Sequence, residues 1–272
     1  INSKEQSESR SIGQEHLVLQ MMHQLQIPDL LEKSGLSKID VNIAIGSIIA
    51  RALHPSSERE AHKWLSNSSA LGELLNFDFK KISLDKLYQV SDKLLSRKDS
   101  LEESLEFIEK AFHGYKNTIA LYDLTNTYME GQAKTNPKAA YGVSKEKRND
   151  SPLITMGLVV NEYGFLSKTS FLPGNASEPK TLQSMIQALS VHQSLLKPVI
   201  ILDAGILTED NLSWLRENGY KYIVSARQKP SHHNLENEPA AVGDEQDCVK
   251  AALIKQDNQE ERWLYCESEA KL

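Results

Sequence analysis

The run Asn117 to Gly131, NTIALYDLTNTYMEG, drives a carboxylate out of a stretch that otherwise reads as a buried strand. Period-two alternation puts Ile119, Leu121, Asp123, Thr125 and Thr127 on one face. An ionised carboxylate on a mostly buried strand is costly unless a cation, a hydrogen-bond donor or a solvent-filled cleft compensates it. Asp123 therefore asks for a partner. A second run, Lys197 to Gly205 (KPVIILDAG), repeats the construction: the Pro-bounded apolar residues Val199 to Leu202 end in Asp203, and small residues follow. Taken singly, each acid also reads as an isolated turn or cap residue, because Asp commonly ends strands and opens turns.

Taken together, with a helix pattern between them, the two runs resemble the DDE transposases of bacterial insertion sequences. In that family the first Asp lies on the first strand in a D-x-T context, matched by Asp123 and Thr125, and the second follows a later strand as D-x-G, matched by Asp203 and Gly205. Tyr141 to Arg148 (YGVSKEKR) and Pro173-Gly174-Asn175 look like the family's G-x-S-K-x-x-R and G-N segments, in the family's order. The resemblance covers about Thr118 to Arg227 well and the preceding helices more loosely.

What the resemblance implies is an α/β fold, an RNase H-like mixed sheet flanked by helices and preceded by an all-α N-terminal region. Residues 1–116 are then a helical, DNA-end-binding region, and 117–272 a catalytic domain in which an insertion begins after about residue 228. The implied cofactor is Mg²⁺ or Mn²⁺, with Asp123 bridging both ions and Asp203 holding one. The implied partner is DNA, as element ends and target; a homodimer stays open, and the expected location is the cytoplasm. The family's third acid, a Glu on a helix after the insertion, finds no match: Glu260, Glu261, Glu267 and Glu269 stand in or beside strand-like sequence without the family's Y-R-E-K spacing. The chain begins at Ile1 and ends soon after Trp263-Leu264-Tyr265-Cys266, so both ends read as cut from something longer. The third acid is expected beyond residue 272, and the chain alone is expected to be catalytically silent.

With 272 residues and 40% apolar content the chain can bury a sizeable core, as one large domain or two smaller ones. Its 31 Lys and Arg against 37 Asp and Glu give a formal charge of −6, which excludes a global electrostatic footprint for nucleic acid. Any DNA contact must be local. The loop from Lys134 to Arg148 offers one: Lys134, Lys138, Lys145, Lys147 and Arg148 face the single acid Glu146. Such a patch neutralises phosphates and makes affinity salt-dependent, or it is simply a solubilising loop. Arg227, after the last strand of the resemblance, is a weaker candidate of the same kind. Cys248 and Cys266 form no metal-type pair, no zinc spacing involves the eight His residues, and no glycine-rich nucleotide motif occurs. Val41 to Leu53, the longest apolar stretch, is too short and too polar to cross a membrane, so no membrane partner is expected.

Along the chain, Leu17, Met21 and Leu25 recur at helical spacing, and Gly35 is placed as the stop of a short helix after Pro28. Val41 to Leu53 reads as a helix halted near Pro55, and Ser57 with Glu60 as the capping box of the next. Helix, Pro-containing turn, helix fits a helix-turn-helix or an αα-hairpin packing its own core. Residues 1 to 116 hold 15 basic against 17 acidic side chains, a balance that favours packing, while the resemblance favours DNA. Ser83 and Ser100 read as caps of two further helices; Glu102, Glu103, Glu106 and Glu109 on the second read as a solvated face. A hairpin about Asn161 to Gly164 follows, then a helix from Ser177, the Val199 strand, a helix capped by Thr208 and stopped at Gly219, and a strand from Tyr220. The acidic segment Leu235 to Asp247 reads as exposed and mobile.

Two rival readings accompany the transposase. A phosphohydrolase with an Asp nucleophile needs a second Asp two residues on, where Thr125 stands. A truncated or decayed copy would retain DNA binding or only the fold.

Overall fold

The computed structural model describes residues 10, 12–114, 118–131, 133–143, 150–190, 197–225, 235–243, 249–255 and 261–268. The chain divides into two compact units, Ile1–Val224 and Ser225–Leu272.

The first unit opens with helices α1 (Gly13–Gln24), α2 (Ile27–Lys33), α3 (Lys38–Leu53), α4 (Glu58–Asn67), α5 (Leu71–Leu75), α6 (Leu84–Ser96) and α7 (Lys98–His113). Hydroxyl caps set three of the starts: Ser37, Ser57 and Ser83 accept from the backbone N–H of Asp40, Glu60 and Lys86. α3 is the central helix of this layer, burying Val41, Ile43, Ala44, Ile45, Ile49 and Ala50. Gly46, inside α3, lets the Phe79 ring lie against the helix, since a Cβ there would come within 2.7 Å of that ring. Lys86 and Lys93 of α6 reach the two carboxylate oxygens of buried Asp40 at 2.7 and 2.6 Å, pinning α6 to α3. Burial alone would raise the Asp40 pKa, but the two ammonium groups hold it below the ordinary carboxylate range.

Two expectations, at Ser100 and Glu102, need correcting in this layer. α1 buries Glu15, Leu19 and Met22, whereas Leu17 and Met21 are 62% and 53% exposed. The helical spacing is present, and the Glu15 carboxylate turns inward to accept from the Ala70 N–H at the start of α5. Ser100 is no cap: α7 starts at Lys98, directly after α6, with Arg97 as the joint. Glu102 is not solvated either. Its carboxylate accepts from the Thr169 N–H (3.1 Å) and hydroxyl and lies 3.1 and 3.3 Å from the ammonium groups of Lys98 and Lys168.

Five strands form the sheet of this unit: β1 (Ile119–Tyr128), β2 (Leu153–Asn161), β3 (Leu166–Pro173), β4 (Val199–Leu202) and β5 (Tyr222–Val224), in the order β3-β2-β1-β4-β5. The β1–β2 and β2–β3 pairs are antiparallel; β1–β4 and β4–β5 are parallel. This is the mixed, RNase H-like order expected above. The parallel steps are made by α8 (Glu178–Ser190) and α9 (Glu209–Glu217). The β2–β3 turn is built by Asn161, whose side-chain oxygen accepts from the N–H groups of Tyr163 and Phe165. β3 is an edge strand, and α7 satisfies part of that edge: Lys98 donates to the Thr169 carbonyl while Glu102 takes the Thr169 N–H.

In the second unit β6 (Ala240–Val242), β7 (Val249–Ile254) and β8 (Trp263–Ser268) make an antiparallel sheet in that order. The acidic segment expected to be mobile thus contributes β6, and Leu235 bridges Ile254 ahead of it. Among the described residues no helix is long and apolar enough to cross a membrane.

Candidate functional site

β1 lies between an antiparallel and a parallel neighbour and has two unlike faces. Ala120, Tyr122 and Leu124 are buried in a cluster with Ile200 and Leu202 of β4, Leu182, Met185 and Ile186 of α8 and Leu215 of α9. Leu121, Asp123 and Thr127 are exposed on the other face. The alternation expected from the sequence is therefore present, but its burial falls on the set that excludes Asp123. The carboxylate is in water and avoids the desolvation cost that a strand buried on both faces would impose.

The parallel register runs Ile119↔Val199, Ala120↔Ile200, Leu121↔Ile201, Tyr122↔Leu202. Asp123 and Asp203 are the residues that follow the last pair of this register, Tyr122↔Leu202. β4 stops at Leu202, and the chain turns at once, with the Ile206 N–H donating to the Asp203 carbonyl at 3.1 Å. Asp203 is exposed like Asp123. Each carboxylate is oriented by the next backbone N–H: Leu124 donates to Asp123 at 2.8 Å and Ala204 to Asp203 at 2.7 Å. Behind the pair stand the buried Tyr122 and Leu202.

This donor set fits a hard divalent cation. Carboxylate oxygens are the preferred ligands of Mg²⁺ and Mn²⁺, and exposure leaves room for the waters and phosphate oxygens that such ions retain. Among the described residues no group of three or more His, Cys, Asp or Glu is placed to hold a metal. Glu267, one of the acids considered for a third, is on β8 opposite Lys250.

Of the basic candidates, Lys134 and Lys138 are described and exposed. Lys138 is engaged, its ammonium donating to the Phe171 carbonyl at 2.6 Å. Lys145, Lys147, Arg148 and Arg227 lie outside the described residues. The loop that leads to the first three is stitched to the sheet: Ala140 bridges Leu153, and the Gly174 N–H donates to the Lys138 carbonyl. Gly142 and Gly174 approach so closely that a Cβ on Gly142 would come within 2.2 Å of the Gly174 oxygen, so only glycine fits.

Sequence reasoning missed Asn126. It alternates with Ala120, Tyr122 and Leu124, and it donates to the Val143 carbonyl (3.0 Å) while accepting from Thr155 (2.9 Å), tying the loop to the strand that bears Asp123. A polar amide in phase with the buried set was the available signal.

Compared with known proteins, the chain matches no family model and no curated sequence. Among solved structures it is similar to a Mos1 transposase paired-end complex with left transposon end, at 9% identity and a TM-score of 0.28, over 66% of this chain and 57% of that one. It is also similar to a piggyBac transposase synaptic complex with hairpin DNA, at 11% identity and a TM-score of 0.40, over 86% of this chain and 52% of that one. A third similar structure is the Mos1 mariner paired end complex with Mn, at 10% identity and a TM-score of 0.26, over 66% of this chain and 57% of that one. The chain spans a little over half the length of each, and the assignment of its fold stands on its own strand order.

Proposed function

We propose that this chain carries the carboxylate pair of a metal-dependent transposase of the bacterial insertion-sequence type, which cleaves DNA at element ends and joins them to a target. The observation that carries the reading is the register: Asp123 and Asp203 each follow the last pair of the two parallel central strands, and both are exposed. Divalent cations, when bound by the pair, would supply charge neutralisation for the phosphate, activation of the attacking water or 3′-hydroxyl and support for the leaving oxygen. Asp123, on the strand between β2 and β4, and Asp203, past the end of β4, would hold them. The backbone N–H groups of Leu124 and Ala204 hold the two carboxylates in orientation, so little reorganisation is needed on binding. A third acidic ligand is part of the proposal and is not assigned to a residue of this chain.

The test is Mg²⁺- or Mn²⁺-dependent cleavage of end-containing DNA by a polypeptide that includes the third acid. Asp123→Ala and Asp203→Ala should each abolish cleavage and leave DNA binding largely intact. Cleavage that persists in Asp123→Ala removes the mechanism. The DNA partner is tested separately: replacing Lys145, Lys147 and Arg148 by Ala should weaken DNA binding and flatten its salt dependence, because fewer counterions are released. Unchanged affinity and slope would make the loop a solubilising one.

A further inference from the structure

Asp203 stands one residue beyond the β1–β4 ladder, so ladder hydrogen bonds alone do not hold its turn. On the closed side of the sheet a second set of bonds does. Asn211, in the first turn of α9 and only 3% exposed, gives both hydrogens of its amide to carbonyls from other elements: Ile206 at 3.0 Å and Pro179 at 2.8 Å. Ile206 closes the turn that begins at Asp203, its N–H on the Asp203 carbonyl and its side chain buried in the core. Pro179 belongs to the first turn of α8. Two residues on, Thr181 shares a buried hydrogen bond of 2.6 Å with the hydroxyl of Tyr122, the residue immediately before Asp123.

The bonds thus form a continuous path from one acid to the other: the Asp203 turn, Ile206, Asn211, the first turn of α8, Thr181, Tyr122 and Asp123. Between the two exposed acids the side-chain polar groups on it, those of Asn211, Thr181 and Tyr122, are buried, where an unpaired amide or hydroxyl is costly, so the path resists being broken or shifted. Building such polar groups into an apolar layer needs a return, and spacing two metal ligands is a task that apolar packing alone performs loosely.

We infer that Asn211 and the Tyr122–Thr181 pair are positioning residues that set the separation of Asp123 and Asp203 from beneath the sheet. The inference rests on the metal-binding reading above. It touches neither carboxylate directly, so its signature is metal affinity that changes without any ligand being removed.

The test titrates the 272-residue chain with Mn²⁺ alone, read by the paramagnetic resonance of free Mn²⁺, beside thermal melting of each variant. Asn211→Ala should weaken Mn²⁺ binding about tenfold, within the range for residues that support metal ligands from behind, and Tyr122→Phe, which removes one hydroxyl, should weaken it by a smaller factor. Leu31→Ala, in the helical core, should lower the melting temperature and leave Mn²⁺ affinity unchanged. Affinities in Asn211→Ala and Tyr122→Phe equal to the parent's would overturn the frame, as would an equal loss in Leu31→Ala. Should Asn211→Ala fail to fold, Tyr122→Phe decides alone. A parent whose Mn²⁺ binding is absent, or unchanged by Asp123→Ala, overturns the metal reading and the frame with it; parent binding that needs Asp123 but not Asn211 or Tyr122 overturns only the frame.

Discussion

On the side of the sheet that α8 and α9 cover, Tyr122, Ile200 and Leu202 are almost wholly removed from water. One residue along β1, on the opposite side, Asp123 stands in solvent and Leu121 is 37% exposed, and Asp203, just past the end of β4, is exposed as well. The difference separates two jobs within one strand. The covered face supplies hydrophobic stabilisation and the fixed underside, and the open face offers charge at no burial cost. Substitutions on the two faces should therefore fail in different ways.

The largest effect on stability is expected on the covered face. Ile186→Ala removes a side chain with no exposed surface from the centre of the cluster under β1, and should lower unfolding stability by about 3 kcal/mol in a denaturant titration. Asp123→Ala, a step away through the sheet, should stay within about 0.5 kcal/mol of the parent, as exposed substitutions usually do. Comparable losses in both would erase the distinction between the faces.

Glu102 extends the comparison to the sheet edge. Its carboxylate serves the backbone of β3 and two lysines, and Lys168 is itself mostly buried. Glu102→Ala should cost about 2 kcal/mol by stranding those groups. Glu102→Gln, which keeps an acceptor for Thr169, should cost less; equal costs would show that charge alone matters there.

The smallest effect is a pH dependence at the same cluster. Lys168 and Lys98 bond to Asp99 and lower its pKa from 3.8 to about 2. A depressed carboxylate pKa stabilises the fold above the unfolded value, and that contribution is lost as pH falls from about 4 toward 2. Asp99 is exposed, so the amount is small. Asp99→Asn should make acid unfolding slightly shallower across that window, and an unchanged profile would remove the assigned role. Lys168 is pulled the other way: burial would lower its pKa, and Asp99 and Glu102 raise it overall. Its contribution is complete below the unfolded value and is lost only as pH rises through the raised one.

Much of this was legible in the residues because it depends on local pattern. The strand carrying Asp123, the Val199 strand ending in Asp203, the turn at Asn161 and the caps at Ser57, Ser83 and Thr208 all follow from neighbours within a few positions. What escaped depends on partners far along the chain. Glu102 meets Thr169 across 67 residues, and Glu15 meets Ala70 across 55. Helical spacing identified an apolar stripe at Leu17 and Met21 but carried no information on which stripe would face the core. Asn126 and Asn211 look like ordinary polar residues until the carbonyls they bind are brought to them by folding.

As proposed above, Asp123 and Asp203 form one cation site. The most direct measurement is an anomalous difference map from crystals of the protein soaked in Mn²⁺. A peak is expected between the two carboxylates, within coordination distance of both at about 2.1 to 2.2 Å and absent in Asp123→Ala crystals. Mn²⁺ peaks only at other positions, or carboxylates pointing apart with no ion between them, would contradict it.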